Sequence, residues 1–294
     1  MTTRSGFIAL AGRPNAGKST LTNRLVGEKV AITSDRPQTT RRAIRGIATG
    51  EDWQLVLTDL PGVQRPRDEL TSRMQRRVER ELQETDAVLF VINGIEGVGP
   101  GDRFIASLLR GVKVPVVAAV NKADKMAKGQ MVEVLAAVDE LGVADAIVPI
   151  SARKGGGIEP LVEELVARLP EGPFYFSPEE RSDQPFGVEL AELVREQVLR
   201  RTHQEVPHSV EVQVEELTRR KDGLLVVDAT IFVESESQKG IIVGKGGRMI
   251  KSVGIAARKE IERLTGERCH LDLTASVKRD WRGDERVLDS LGID

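Results

Sequence analysis

The run Gly12-Arg13-Pro14-Asn15-Ala16-Gly17-Lys18-Ser19 narrows the possible folds more than any other part of this chain. It fits G-x-x-x-x-G-K-[ST], a loop whose closely spaced backbone N–H groups surround phosphate oxygens while the lysine reaches the outer ones. Such a loop works only between a strand and a helix. Phe7-Ile8-Ala9-Leu10 supplies an apolar run before it, and Leu21 and Leu25, one helical turn apart, mark an amphipathic segment after it. The helix then offers its free N–H groups and positive dipole end to an anion.

The rest of the first half follows the same rhythm. Apolar runs at 7–11, 43–48, 53–58, 87–93, 114–121 and 146–149 read as strands. The second and third are separated by Thr49-Gly50-Glu51-Asp52 and read as a hairpin, while helical segments between the others make those strands parallel. Leu70, Met74, Val78 and Leu82 form one helical stripe, and Leu161, Leu165 and Leu169 another, stopped by Pro170 and Gly172. The expected architecture is a doubly wound, mixed α/β sheet, with ligands beyond the carboxyl ends of its strands.

Those ends carry the remaining chemistry. The strand 53–58 runs into Asp59-Leu60-Pro61-Gly62, which places Asp59 to hold Mg²⁺ through a water and the Gly62 N–H to meet a γ-phosphate. The strand 114–121 runs into Asn121-Lys122-Ala123-Asp124. A carboxylate at Asp124 accepts the two N–H donors on one edge of guanine, a pair adenine lacks, and sites of this kind discriminate by roughly 10⁴-fold. Lys122 would lie along the base plane and Asn121 would tie this loop to the phosphate loop. Ser151-Ala152-Arg153 follows the next strand, and a backbone N–H there can meet the guanine O6. Between helix and second strand, the polar stretch 33–42 reads as a loop, with Ser19 and a threonine completing a Mg²⁺ shell. Thr40 is favoured over Thr39. Loop and base reader together imply a guanine nucleotide, GTP or GDP, with Mg²⁺.

At 294 residues the chain is too long for one ordinary core and suits two domains. With 40% apolar and 30% charged residues it reads as soluble and globular, and no apolar run approaches a membrane span. A strand reached by Phe7 leaves no room for a signal peptide. The single cysteine, Cys269, excludes an internal disulfide and fits a reducing cytosol; His203, His208 and His270 have no metal-like spacing. Cys269-His270 reads as an ordinary strand pair. A net charge of −2 gives no global attraction to nucleic acid, so any such binding needs a local patch.

The expected boundary lies in the Pro- and charge-rich stretch 171–186, a flexible linker between a domain at 1–170 and a second at 187–277, with a tail at 278–294. The second domain starts with a helix at 188–201, followed by strands at 210–214 and 224–233 and a last strand at 270–274. Between them, Gly244-Lys245-Gly246-Gly247 opens a helix starting at Arg248. This G-x-x-G loop is the mark of a KH domain, where glycines admit a nucleic-acid backbone and the lysine meets phosphate. From Ser237 to Lys259 there are six basic residues (Lys239, Lys245, Arg248, Lys251, Arg258, Lys259) and no acidic one. That focused patch implies RNA, with Lys251 and Arg258 beside the loop. Few aromatics favour apolar and hydrogen-bonded readout over stacking.

Taken together, GRPNAGKS, QTTR, DLPG, NKAD and SAR, then VGKGG, Trp281, Asp284-Glu285-Arg286 and Leu291-Gly292 resemble the bacterial Era family along essentially the whole chain. The resemblance implies a P-loop GTPase followed by a smaller α+β KH domain. It implies a cytoplasmic, monomeric ribosome-assembly factor that binds the 3′ region of small-subunit rRNA and the small ribosomal subunit, with some peripheral membrane association. Leu60 departs from the family, which commonly has threonine there, and leaves switch geometry and turnover open. Val63 stands where Ras-like enzymes carry the glutamine that orients water, and Gln64 comes one position late. In related GTPases lacking that glutamine, an asparagine at the position of Asn15 helps bind K⁺. Lys18, Thr40, Gly62 and Asn15 are therefore the expected catalytic set, with slow unaided turnover of about 10⁻⁴ to 10⁻² s⁻¹. A signalling GTPase, or an RNA-chaperone GTPase with another RNA target, is the alternative.

Overall fold

Central strands of a sheet covered on both faces must be apolar on both sides, and the four innermost runs of this chain are. The computed structural model describes residues 2–34, 36, 39–63, 68–202, 206–291 and 293. Strands β1 (Arg4–Ala11), β2 (Ile44–Thr49), β3 (Trp53–Asp59), β4 (Ala87–Asn93), β5 (Val116–Asn121) and β6 (Ala146–Pro149) form one sheet in the order β2-β3-β1-β4-β5-β6. Only β2 is antiparallel to its neighbour; every other pairing is parallel. The expected Val114 start of β5 slips to Val116 because Pro115 has no N–H to give to the ladder.

Helices cover both faces. The helices α1 (Lys18–Val26) and, later in the chain, α5 (Ile158–Val166) bury Leu21, Val26, Leu161 and Leu165 against one face. On the other face α2 (Glu69–Gln83), α3 (Pro100–Leu109) and α4 (Lys128–Asp139) contribute Val78, Leu82, Ile105, Leu109, Val134 and Val138. Each fully buried side chain of this size stabilises the fold by about 1.5–3 kcal/mol. Because β1 lies between β3 and β4, its crossovers leave to opposite faces, and the crevice opens at the carboxyl end of β1, where Gly12 begins the phosphate loop.

The segment expected as a free linker is not free over most of its length. Gly172 N donates to Thr3 O at 3.0 Å, and the fully buried Gln54 accepts the N–H groups of Tyr175 and Phe176 on its Oε1 at 2.9 and 3.0 Å. Ile47 N donates to Arg181 O at 2.8 Å, and Ser182 Oγ to Arg45 O at 2.8 Å. The strap thus covers the open side of edge strand β2, which would otherwise present unpaired backbone groups. The first compact unit therefore runs to Asp183, apart from Asp68–Leu70, which group with the second, and the second resumes at Gln184.

That second unit consists of α6 (Phe186–Arg201), α7 (Val206–Ser209), β7 (Glu211–Arg219), β8 (Leu225–Val233), α8 (Glu236–Val243), α9 (Arg248–Thr265), β9 (Cys269–Val277) and α10 (Glu285–Ser290). Its sheet runs β7-β8-β9, antiparallel then parallel, with Val194, Val198, Ile231, Ile242, Val253 and Ala257 in the core. β7 extends beyond the expected 210–214 through an irregularity between Val214 and Glu216. Cys269 is buried and His270 exposed, as neighbours on a strand are; burial pushes the thiol up to about 11, far from a reactive thiolate. His203 lies outside the described residues. The expected tail is part of this unit: Trp281 is fully buried and donates Nε1–H to Ser209 O at 2.9 Å. Asp284 caps α10, its carboxylate accepting from Arg286 N and Val287 N.

Candidate nucleotide and RNA sites

The phosphate loop is shaped by positions where no side chain fits. A Cβ on Gly12 would lie 2.5 Å from Val91 O, and one on Gly17, at φ +100°, 2.3 Å from Asn121 Nδ2. Gly17 also precedes α1 without a side-chain cap, and the first turn holds no acid, which leaves the N-terminal amides for a ligand. Lys18 Nζ donates to Gly12 O at 3.0 Å and Arg13 O at 3.3 Å. Burial pushes the Lys18 pKa down, with the charge of Asp59 opposing it. Arg13 contributes only main chain to the loop. Its guanidinium turns away to the fully buried Asp102 at the start of α3 (2.7 Å) and to Glu96 (3.0 Å). Pro14, Asn15 and Gly17 line the cleft together with Ser19, Thr40 and Gly62, and Ala16 is buried beneath it.

Three oxygens converge beside Lys18. Ser19 Oγ donates to Asp59 Oδ2 at 2.6 Å, Thr40 Oγ1 donates to the same oxygen at 3.3 Å, and the two hydroxyls are 3.1 Å apart. Asp59 Oδ1 is buried and has no hydrogen-bond partner among the described residues. Burial raises the Asp59 pKa, while Lys18 and the two hydroxyls pull it back. A buried carboxylate oxygen without a partner, beside two hydroxyls, is the hard-oxygen donor set that Mg²⁺ accepts. Thr39 lines the same cleft, but its hydroxyl donates to Arg36 O at 2.7 Å, whereas that of Thr40 turns to Asp59. Leu60 and Val63 are buried in the apolar core, so a leucine at 60 is accommodated by packing. Gly62 passes so close to the loop that a Cβ would meet Pro14 at 2.8 Å, and Val63 N donates to Gly12 O at 3.3 Å. Gln64 lies outside the described residues.

Asn121 joins three loops. Its Nδ2 donates to Ala16 O at 2.9 Å, and its Oδ1 accepts from Lys122 N and Ala152 N at 2.8 and 3.0 Å. Lys122, in a left-handed conformation at φ 69°, sends Nζ to Asn15 O at 3.0 Å, and Ala123 N donates to Ile150 O at 3.0 Å. Asp124 Oδ1 accepts from Ser151 Oγ at 2.7 Å, and that hydrogen bond, with help from Lys154 and Lys125, holds the carboxyl below its ordinary pKa. Two residues here escaped the sequence reading. Lys154 Nζ stands 3.8 Å from Asp124 Oδ2, and Arg24 on α1 donates to Ala152 O at 3.0 Å and Arg153 O at 2.7 Å. Neither position lies in a motif, and a basic residue late in a helix ordinarily reads as a solvated one.

In the second unit, Gly244, Gly246 and Gly247 all have positive φ (70°, 62° and 75°). A Cβ on Gly244 would meet that of Met249 at 2.7 Å, whereas Gly246 faces open space. Lys245 sits at the tip, with Arg248 Nε donating to its carbonyl at 3.2 Å. Beyond it, a shallow groove between α9 and β9 is lined by Lys251, Gly254, Ile255, Arg258, Leu271 and Asp272. Ile241 and Ile255 are 49% and 45% exposed, and Ile255 lines the groove together with Lys251 and Arg258. The lining holds no aromatic residue.

A phosphate loop with a guanine-type base loop, followed by a G-x-x-G loop on an α+β unit, defines the class: a P-loop GTPase carrying a KH domain. Residues 7–122 match the family model described as 50S ribosome-binding GTPase, and residues 205–282 match the KH domain. GTPase Era of Lactobacillus helveticus is 46% identical over 291 residues, covering 99% of this chain and 96% of that protein. GTPase Era of Mycolicibacterium smegmatis is 46% identical over 295 residues, 99% of each. A crystal structure of an Aquifex aeolicus Era variant bound to GDP·AlF4⁻ superposes with a TM-score of 0.96 at 33% identity, covering 99% of both chains. A crystal structure of Era with MgGDPNP and nucleotides 1506–1542 of 16S ribosomal RNA gives 0.95 at 34% identity, again over 99% of both. The chain belongs to the Era family of GTPases, and its fold is the P-loop GTPase domain followed by the KH domain.

Proposed function

We propose that this GTPase holds GTP with Mg²⁺ on residues 12–19, 59–63, 121–124 and 151–152, and binds the 3′ region of small-subunit rRNA through residues 244–248, Lys251 and Arg258, assisting small-subunit assembly as a cytoplasmic monomer. One observation carries this reading. The buried Asp59 carboxylate, one oxygen bonded by two hydroxyls and the other without a partner among the described residues, shares a chain with a G-x-x-G loop followed by a groove lined by Lys251 and Arg258. The related Era structure that contains both MgGDPNP and 16S nucleotides supports it along the full length. No helix of the described residues is long and apolar enough to cross a membrane.

Ser19, Thr40 and Asp59 would hold the metal, which when bound supplies positive charge to the β- and γ-phosphate oxygens. Lys18 adds a second cation from a buried position, and the N-terminal amides of α1 and the Gly62 N–H complete the cradle. Val63 is buried and apolar and cannot orient water, so turnover depends on groups other than position 63. Asn15 is the residue we assign to a K⁺ site that offsets this deficit. GTP turnover is expected to rise several-fold in KCl over NaCl at equal ionic strength, to be lost in Lys18→Ala, and to be unaffected by excess ATP. Equal turnover in the two salts removes the K⁺ role; inhibition by ATP removes the guanine reading.

A further inference from the structure

Arg24 lies on α1, outside every recognised motif, yet both arms of its guanidinium are spent on the guanine-side loop. Nε donates to Ala152 O at 3.0 Å and the other arm to Arg153 O at 2.7 Å. A trans peptide sends its C=O and N–H in opposite directions. With Ala152 O drawn towards α1, the Arg153 N–H of the same peptide is sent away from α1. The other amides of this turn are already used: Ser151 N–H by Gly156 O at 2.8 Å, Ala152 N–H by Asn121 Oδ1 at 3.0 Å, and Lys154 N–H by Ser151 Oγ at 3.2 Å. Among the described residues the Arg153 N–H has no such acceptor. The turn borders Asp124, because Ser151 Oγ donates to the Asp124 carboxylate at 2.7 Å and Lys154 stands beside it.

We infer that Arg24 is a positioning residue for base selection: by pinning two carbonyls on the α1 side, it makes the Arg153 amide a donor fixed towards position 6 of the purine. The inference rests on the guanine reading of the site and adds a second, separable component to it. Asp124 reads the N1–H and 2-amino edge, and Arg24 acts through the peptide that reads the 6-oxo group. Without the clamp the peptide is free to turn, and a carbonyl facing that position repels an oxo group. A lysine at 24 reaches only one carbonyl at a time, since it lacks the rigid two-armed donor geometry.

The test titrates full-length protein with GDP, IDP and 6-thio-GDP, for the unaltered chain and for Arg24→Ala and Arg24→Lys. IDP keeps the 6-oxo group and loses the 2-amino group; 6-thio-GDP keeps the Asp124 edge and replaces the 6-oxo oxygen with sulfur, a weak acceptor. In Arg24→Ala, GDP and IDP affinities are expected to fall by the same factor, about tenfold for one hydrogen bond. The affinity for 6-thio-GDP should change less than about twofold, so the preference for GDP over 6-thio-GDP collapses while that over IDP persists. Arg24→Lys should recover part of the GDP affinity. An equal loss for all three nucleotides, or no loss, overturns the role of Arg24 and leaves the site intact. Failure of the unaltered protein to bind GDP overturns the guanine reading itself.

Discussion

Ser151 shows how much a single hydroxyl can set in this site. By donating to Asp124 it keeps the carboxyl below its ordinary pKa, so the ionised form that accepts the guanine edge persists into acid. The sign follows from that direction: a depressed acid keeps its contribution above its ordinary pKa and loses it as pH falls through the lowered value. The Asp124 contribution to GDP affinity should therefore persist from pH 8 down to about pH 5, taking an ordinary aspartate as the reference and comparing with Asp124→Asn to remove the titration of the nucleotide's own phosphate. In Ser151→Ala the acid limb should move to higher pH, read by GDP titrations carried below about pH 5; an unmoved limb would mean the hydroxyl does not tune Asp124. At this scale the motifs were legible because each is contiguous, and Asp59, Asn121 and Asp124 could be located from strand ends. Arg24 and Asp102 were not. Their partners are 128 residues away in one case and in the phosphate loop in the other, and no local pattern marks either.

Elements were legible where burial alone decides them. The runs of β1, β3, β4 and β5 are apolar on both faces because helices cover both, and their existence follows from composition without any partner. The helix α8 had a local signal, Ser235 accepting from Gln238 N as an N-cap, but the strap 171–183 follows from nothing local. The strap is polar and rich in proline, and it is ordered by a partner from another element. Gln54, buried in β3, accepts from Tyr175 N and Phe176 N, and its Nε2 donates to Phe176 O at 2.9 Å. Removing the amide strands those backbone groups. Gln54→Ala is expected to destabilise the first unit by about 2–4 kcal/mol in urea melts, well above an ordinary surface substitution. A loss under about 0.5 kcal/mol would show that the strap contributes nothing to that unit.

At the scale of the whole molecule, one chain carries a candidate nucleotide site and a candidate RNA groove, and the account stands on their belonging to one function, with the nucleotide state setting the affinity for RNA. The two-domain organisation was legible from the break in pattern near Pro170 and from the G-x-x-G loop. The limits of the linker and tail were not, because order there comes from distant hydrogen bonds. The groove's cations are set along α9, so Lys251→Ala with Arg258→Ala should weaken RNA binding and flatten its salt dependence by up to two charges' worth of slope. The most direct measurement is the affinity of full-length protein for an oligonucleotide of the 3′ end of small-subunit rRNA, with Mg·GDPNP and with GDP, beside the variant Gly246→Asp. That position has open space and a left-handed backbone an aspartate tolerates, so the variant keeps its fold while placing a negative charge where phosphate would lie. The account predicts at least about tenfold tighter binding with Mg·GDPNP than with GDP, within the usual range of allosteric coupling, and loss of that binding in the variant. Equal affinity in the two nucleotide states, or undiminished binding by Gly246→Asp, would contradict it.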